Sequence, residues 1–386
     1  MTYTSHARLQ AAINHRESDR IPFDLGSTKM TGISAIAYKH YLQYKDAAYL
    51  DPEPSILDIM QQLAKPSEAF LRALDVDVRG IFPAPPDSWQ ASIIAKGDSD
   101  YLTDEWGIMW RKPKQHGLYF DLNESPMVAE DLDQNVLNTF PWPDPGNQRR
   151  YASLQQQLDQ INTTERYGIT LHGMTSGALE MALRLRGFEN FFVDLIADSH
   201  TALILINKIV DIKIAYWTRA LAMIGHAIDV AVEVDDLGTQ ESLLLSPEIY
   251  RTLVKPCHKR LFAAIKKSAP HIKVFFHSCG AIAPLMDDLI EIGVDIINPV
   301  QFSASGMNVR ELKQNYGKDI VFWGGVIDTQ KTLPYGSPDQ IKDEVKRNIE
   351  TLAPGGGYVI NTVHNIQSDV PPQNLDALFE AINTYR

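Results

Sequence analysis

The chain has 386 residues, enough to bury a large core as one big α/β domain or two ordinary ones. It carries 36 Lys and Arg against 48 Asp and Glu, a formal charge of -12 without a visible basic patch, which argues against an extended nucleic-acid or anionic-membrane footprint. Two cysteines, Cys257 and Cys279, rule out a disulfide framework, and neither a run of ~18 apolar residues nor an apolar leader is present; a cytoplasmic setting with small-molecule or protein partners is expected.

In chain order, Ser5–Asn14 has a helical pattern, with Leu9, Ala12 and Ile13 on one side. A short strand fits Ile21–Leu25 and stops at Gly26. Thr31 to about Leu50 reads as helix, and Asp51–Leu74 as helix interrupted by Pro52, Pro54 and Pro66. Val76–Phe82 reads as a second strand, ended by prolines. Residues 88–149 are rich in Trp, Pro, Gly and charge without a sustained helical period, the pattern of an insertion of short antiparallel strands and turns. After a helix over Tyr151–Leu158, strands and helices alternate. Strands are predicted at Gly168–His172, Asp229–Asp236, Lys273–Gly280, Asp295–Gln301, Asp319–Gly325 and Gly356–His364. Helices are predicted from about Ala178 to Gly225, with breaks near Gly187 and Asp198-Ser199. Further helices follow at Pro247–Lys267, Ile282–Ile292, Val309–Tyr316, Gln340–Leu352 and Leu375–Tyr385.

Eight strands with helices between them predict an α/β fold closed into a (β/α)8 barrel of the TIM type. It forms a single domain over 1–386 with the β-rich segment 88–149 inserted; a doubly wound open sheet is the competing topology. In such a barrel the chemistry sits at the C-terminal ends of the strands. That rule selects Asp24, Phe82, His172, the pair Asp235-Asp236, His277, Cys279, Asn298, Gln301, Trp323 to Asp328, His364, Asn365 and Gln367. For Asn298, Gln301, Asn365 and Gln367 the plainer reading is a side chain that caps a loop.

The stretch Phe276-His-Ser-Cys-Gly280 carries the sharpest signal. Residues two apart on a strand share a face, so an imidazole nitrogen and a thiolate from His277 and Cys279 reach one point, a pairing that suits zinc better than a hard cation. The plain alternative is a core histidine beside a buried thiol. Catalytic zinc takes three protein ligands and keeps a fourth position open. His364 satisfies the count, and a carboxylate, Asp235 or Glu233, is the other candidate. Cys257 and His258 lie in a helix and read as structural or surface residues. If the strand persists, only one of Asp235 and Asp236 looks inward.

The series Asp235-Asp-Leu-Gly-Thr-Gln240, Phe276-His-Ser-Cys-Gly280, Ile292–Gln301, Phe322-Trp-Gly-Gly-Val-Ile-Asp328 and His364-Asn-Ile-Gln367 resembles the uroporphyrinogen decarboxylase superfamily. More narrowly, it resembles the zinc-dependent methyltransferase branch that serves corrinoid systems. The resemblance runs from Asp19-Arg-Ile-Pro22 to Asp369-Val-Pro-Pro372 and implies a (β/α)8 barrel. It puts the family's His-x-Cys zinc pair on His277 and Cys279. Where the thiol-methylating branch has a further cysteine, this chain has His364, a set that makes zinc more electrophilic and puts methylation of a thiol in question. The decarboxylase itself is a poorer match, because no arginine stands near Asp24-Leu-Gly-Ser27 to hold a polycarboxylate.

The resemblance implies methyl transfer between a small molecule, as a methylated donor, and a corrinoid on a separate partner protein, since the chain has no Asp-x-His-x-x-Gly motif. Asp235 and His172 are the candidate catalytic residues, with Phe82, Gln301, Trp323 and Asn298 around the substrate. A homodimer is an open expectation. The alternatives are a metal-independent decarboxylase or lyase, and a corrinoid- or tetrapyrrole-binding scaffold without catalysis.

Overall fold

The computed structural model describes residues 3–128, 132–161 and 165–386. Its centre is a sheet of seven parallel strands whose spatial order follows chain order. These are β1 (Val78–Ile81), β2 (Gly168–His172), β3 (Val230–Val234), β4 (Lys273–His277), β5 (Ile296–Asn298), β6 (Val321–Trp323) and β7 (Tyr358–Val359). Parallel neighbours need crossovers, and helices supply them, so the α/β barrel-type architecture is as the strand count predicts.

The expected first strand at 21–25 is reduced to one bridge, Phe23 to Ile360. Ile360 N–H donates to Pro22 O and Asp24 N–H to Ile360 O, both at 2.9 Å, while Asp77 N–H donates to Phe23 O at 2.8 Å. This stretch therefore joins the two edges of the sheet. It stays irregular because Pro22 has no N–H and the Phe23 N–H is taken by the Asp77 carboxylate at 3.0 Å. The last strand also ends earlier than expected, after Val359. Beyond it the backbone changes partner: Val326 N–H donates to Asn361 O and Val363 N–H to Ile327 O, so His364 rides on a loop rather than a strand end.

Alternation along the strands sorts the core into two layers. Val78, Val230, Val232, Phe275, Ile296, Val321, Trp323 and Val359 point inward and pack with Leu9 and Ala12 of the helix Ser5–Ala12 and with Ile13 just after it, which plug the N-terminal end. Their neighbours Ala231, Val274, Phe276, Ile297, Phe322 and Tyr358 pack outward against the helices. By the same parity His172, His277 and Asn298 point into the barrel, and Glu233 and Asp235 point away from it.

One predicted helical region differs, and the β-rich insertion is as expected. Within 51–74 the chain forms a hairpin, Ser55–Asp58 with Leu63–Lys65, and only Glu68–Ala73 is helical. Its prolines break the helical register, and the extended entry to the preceding helix, Ala35–Tyr44, supplies partners instead: Ala64 N–H donates to Ile33 O and Ala35 N–H to Gln62 O, each at 2.9 Å. Between 94 and 124 a four-stranded antiparallel sheet forms, followed by the short helices Gln134–Thr139 and Arg149–Ala152. The long tract breaks as expected into Ala178–Arg186, Phe188–Ala197 and Ser199–Ile224. Among the described residues no helix is long and apolar enough to cross a membrane.

Candidate metal centre

At the C-terminal end of β4 the strand stops at His277, and Cys279 follows in a tight turn. Gly280 makes that turn possible: its φ is +89°, and a Cβ there would lie 2.4 Å from Thr239 O. His277 Nε2 and Cys279 Sγ stand 3.3 Å apart. The His364 ring, on the loop after β7, lies 5.5 Å from the His277 ring, and one ligand atom from each of the three residues falls within 4.8 Å of the others. Zinc bonds of about 2.0–2.3 Å in a tetrahedron separate ligand atoms by roughly 3.5 Å, so the His–Cys edge already fits and a shift of about 1 Å brings in His364.

The surroundings favour ligation. His277 Nδ1 donates to Asn298 Oδ1 at 2.6 Å, which fixes the ring proton and leaves the Nε2 lone pair facing Cys279. Asn298 is held in turn by donating from Nδ2 to Trp323 O at 2.8 Å. Burial lowers the pKa of His277, and burial followed by the neighbouring His277 lowers that of His364 to about 4, so both imidazoles are neutral near pH 7. Burial, then Asp236 and Glu180, hold the Cys279 thiol well above its ordinary range, so a cation is needed to make it a thiolate. One thiol and two imidazoles, with no cationic side chain paired to them among the described residues, form a set able to hold a metal ion.

The sequence matches the family described as Uroporphyrinogen decarboxylase (URO-D) over residues 115–385. The chain belongs to the uroporphyrinogen decarboxylase family. Its relatives include a methylated-thiol–coenzyme M methyltransferase of Methanosarcina mazei, 24% identical over 241 residues, a match that takes in 62% of this chain and only 60% of that protein's length. Another is a uroporphyrinogen decarboxylase of Pseudoalteromonas atlantica, 20% identical over 280 residues, covering 70% of this chain and 74% of the relative. Among solved structures, a methyltransferase from Methanosarcina mazei superposes with a TM-score of 0.63 at 16% identity, over 99% of both chains; at that identity the likeness is one of fold.

In this family member the other expected site residues fall in different places. Asp235 is turned outward and fully committed. Its oxygens accept from Leu179 N–H and Glu180 N–H at 2.8 Å and meet His258 Nε2 at 2.9 Å. It thus caps the helix Ala178–Arg186, whose own cap position is Gly177, where a Cβ would sit 2.1 Å from the carboxylate. That geometry corrects the catalytic expectation for Asp235 and gives His258 its structural partner. Glu233 is likewise unavailable as a third ligand: it is buried on the helix side, paired with Lys213 at 2.9 Å and accepting from Trp217 Nε1.

Asp236 is the carboxylate that faces the centre. Its Oδ1 accepts from Cys279 N–H at 2.8 Å and lies 3.9 Å from His277 Nε2, with 42% of its side chain exposed. The signal for it was the strand alternation, since it continues the inward series Val230, Val232, Val234. Glu180, which bears on Cys279 from the first turn of its helix, left no local signal.

His172 does point inward, but its Nε2 accepts from the Lys29 N–H at 3.0 Å, and burial with Lys29 keeps its pKa well below the ordinary value. It is a neutral acceptor that holds a loop, and Phe82 stacks on it at 4.9 Å. Gln301 accepts from Gly280 N–H at 2.7 Å and donates to Gln240, holding the ligand turn rather than an open surface. Trp323 has no exposed surface and donates to Asp24, so it fills the barrel interior beneath the centre. Asn298 stands behind His277 rather than at a substrate. Of the four expected substrate contacts, Phe82 alone keeps a partly exposed face.

Proposed function

We propose that the chain is a zinc-dependent methyltransferase that moves a methyl group from a small methylated molecule to a corrinoid carried by a separate protein. The observation that carries this reading is the convergence of His277, Cys279 and His364 at the barrel mouth, three donors that leave a fourth position for a substrate heteroatom. Zinc bound there supplies Lewis acidity to the oxygen, nitrogen or sulfur that loses its methyl group.

The chain's own groups do the rest. Asn298 keeps His277 in the tautomer that offers Nε2. Cys279 gives up its proton on loading and donates its backbone N–H to Asp236, whose carboxylate stands at the rim of the open position. The proton needed by the departing heteroatom enters from solvent beside Asp236. The methyl group would pass to the partner's reduced corrinoid as the bond to the heteroatom breaks, its electron pair staying on the heteroatom, so the products would be the methylated corrinoid and the demethylated molecule. One thiolate and two imidazoles leave the centre one unit more positive than two thiolates and one imidazole. That charge suits a donor whose bond to methyl must be polarised, and the Methanosarcina mazei relative, named for a methylated thiol, belongs to the same class of reaction.

The deciding experiment measures bound zinc and the appearance of methylated corrinoid for the wild type, a chelated sample, and chelated protein given zinc again. Activity that follows zinc through removal and return supports the reading. Full activity in chelated, zinc-free protein would sink it and favour a metal-independent lyase.

A further inference from the structure

Asp236 lies just beyond the end of β3, and the backbone on both sides of it is tied to the ligand turn. Asp235 N–H donates to His277 O at 2.9 Å, Leu237 N–H donates to Ser278 Oγ at 2.9 Å, and a Cβ on Gly238 would lie 2.9 Å from Cys279 O. The side chain between these ties is much freer. It is 42% exposed, no Lys or Arg pairs with it among the described residues, and it is held by the Cys279 N–H, which donates to Oδ1 at 2.8 Å.

That same oxygen lies 3.9 Å from His277 Nε2, a few tenths of an ångström beyond the roughly 3.5 Å that separates ligand atoms around tetrahedral zinc. Rotation about the side-chain bonds covers such a distance with the backbone in place. The charge of Asp236 also reaches every donor: after burial it is the largest influence on His277 and on Cys279, and it acts on His364 as well.

Net charge decides what the carboxylate does there. Zinc held by one thiolate and two neutral imidazoles keeps one positive charge, which is costly around a ligand as buried as His277. A carboxylate in the fourth position makes the set neutral. A neutral heteroatom that displaces it returns the positive charge just when the bond to methyl has to be polarised.

We propose that Asp236 is a displaceable fourth ligand, which closes the centre in the substrate-free protein and gives way to the methylated heteroatom by swinging back to the Cys279 N–H. The inference rests on the methyl-transfer reading of the same centre.

The test uses the intact chain with cobalt(II) in place of zinc, whose electron-spin resonance is broadened by directly bound water enriched in the magnetic isotope of oxygen. Without substrate, wild type should show no broadening. Asp236→Asn, whose amide oxygen still accepts from Cys279 N–H but is a poor ligand, should show it. Imidazole, an uncharged probe of the open position, should bind Asp236→Asn more tightly, as read from the cobalt absorption. If the closed form holds about nine-tenths of the molecules, only about one-tenth are open and the gain is about 10-fold. Loss of a nearby charge that is not a ligand leaves the affinity for an uncharged probe unchanged. The proposal is overturned if wild type carries bound water, or if Asp236→Asn binds imidazole no more tightly than wild type does. A chain that takes up neither cobalt nor zinc sinks the metal reading and this inference with it, a result distinct from both.

Discussion

The two ends of the barrel are both rich in polar side chains and use them in opposite ways. At the N-terminal end unlike charges meet: Arg8, Arg20 and Arg386 stand among Asp19, Asp75 and Asp77, and most of their atoms satisfy one another. At the C-terminal mouth like groups meet: two neutral imidazoles and a thiol, all offering lone pairs, with Asp236 beside them. A set of opposites is complete in itself, whereas a set of like donors needs something from outside. Polar density alone therefore does not mark a functional site; the sign of what is missing does.

The largest expected effect tests that distinction directly. His277→Ala and Cys279→Ser should abolish stoichiometric zinc, read by metal analysis, and lower methyl transfer by more than the ~10–100-fold that an outer partner contributes. His364→Ala should do the same; if it keeps full zinc and activity, the ligand set is wrong. At the other end Asp77→Ala should leave zinc content untouched. It removes the shared partner of Arg8, Arg20 and the Phe23 N–H, so unfolding in urea should become easier by about 3–5 kcal/mol. A variant of either kind that moved both readouts equally would erase the contrast between the ends.

Much of this arrangement was legible in the sequence, for reasons of periodicity. Runs such as Lys273–His277 and Val230–Val234 are apolar, bounded by turns and separated by helical patterns, so seven of the eight strands could be placed. What could not be read depended on partners distant in the chain. The 21–25 strand failed because Asp77 takes the Phe23 N–H, and the 55–65 hairpin formed because backbone at 33–35 supplied its pairing. The same holds at the site. His277 and Cys279 declare themselves by their spacing, whereas the fates of Asn298 and Asp235 are set by Trp323, by a helix beginning at Ala178 and by His258. Asp236 was accessible from alternation alone, once Val230 and Val232 are known to face inward.

Asn298→Ala sharpens the comparison at intermediate size. It removes the acceptor that orients His277 and leaves the ligands in place, so zinc affinity, measured by competition with a chelator, should fall about 10–100-fold. Asn298→Asp, which restores an acceptor to Nδ1, should recover most of it. If Asn298→Ala binds zinc as tightly as wild type while substrate KM rises, Asn298 is a substrate contact after all.

The smallest effects separate the two ends by pH. In metal-free protein His364 titrates near 4, below the ~6.5 of a free imidazole, so the folded state binds fewer protons than the unfolded chain between those values. Stability from this group is therefore complete above about 6.5 and is lost as pH falls toward 4. Asp75 is lowered by Arg20 and Asp19 by Arg8, from an ordinary value of ~3.9, so their contribution is complete above that value and fails only in more acid solution. The Asp75 side chain is 63% exposed, which makes its share a screened surface pair worth ~1 kcal/mol or less. In urea titrations of the metal-free protein, His364→Asn should flatten the decline between pH 6.5 and 4, and Asp75→Asn only the decline below it. Zinc should suppress the first and leave the second, because a ligated imidazole cannot take up a proton; a decline at the mouth that zinc does not alter would mean that His364 is not a ligand.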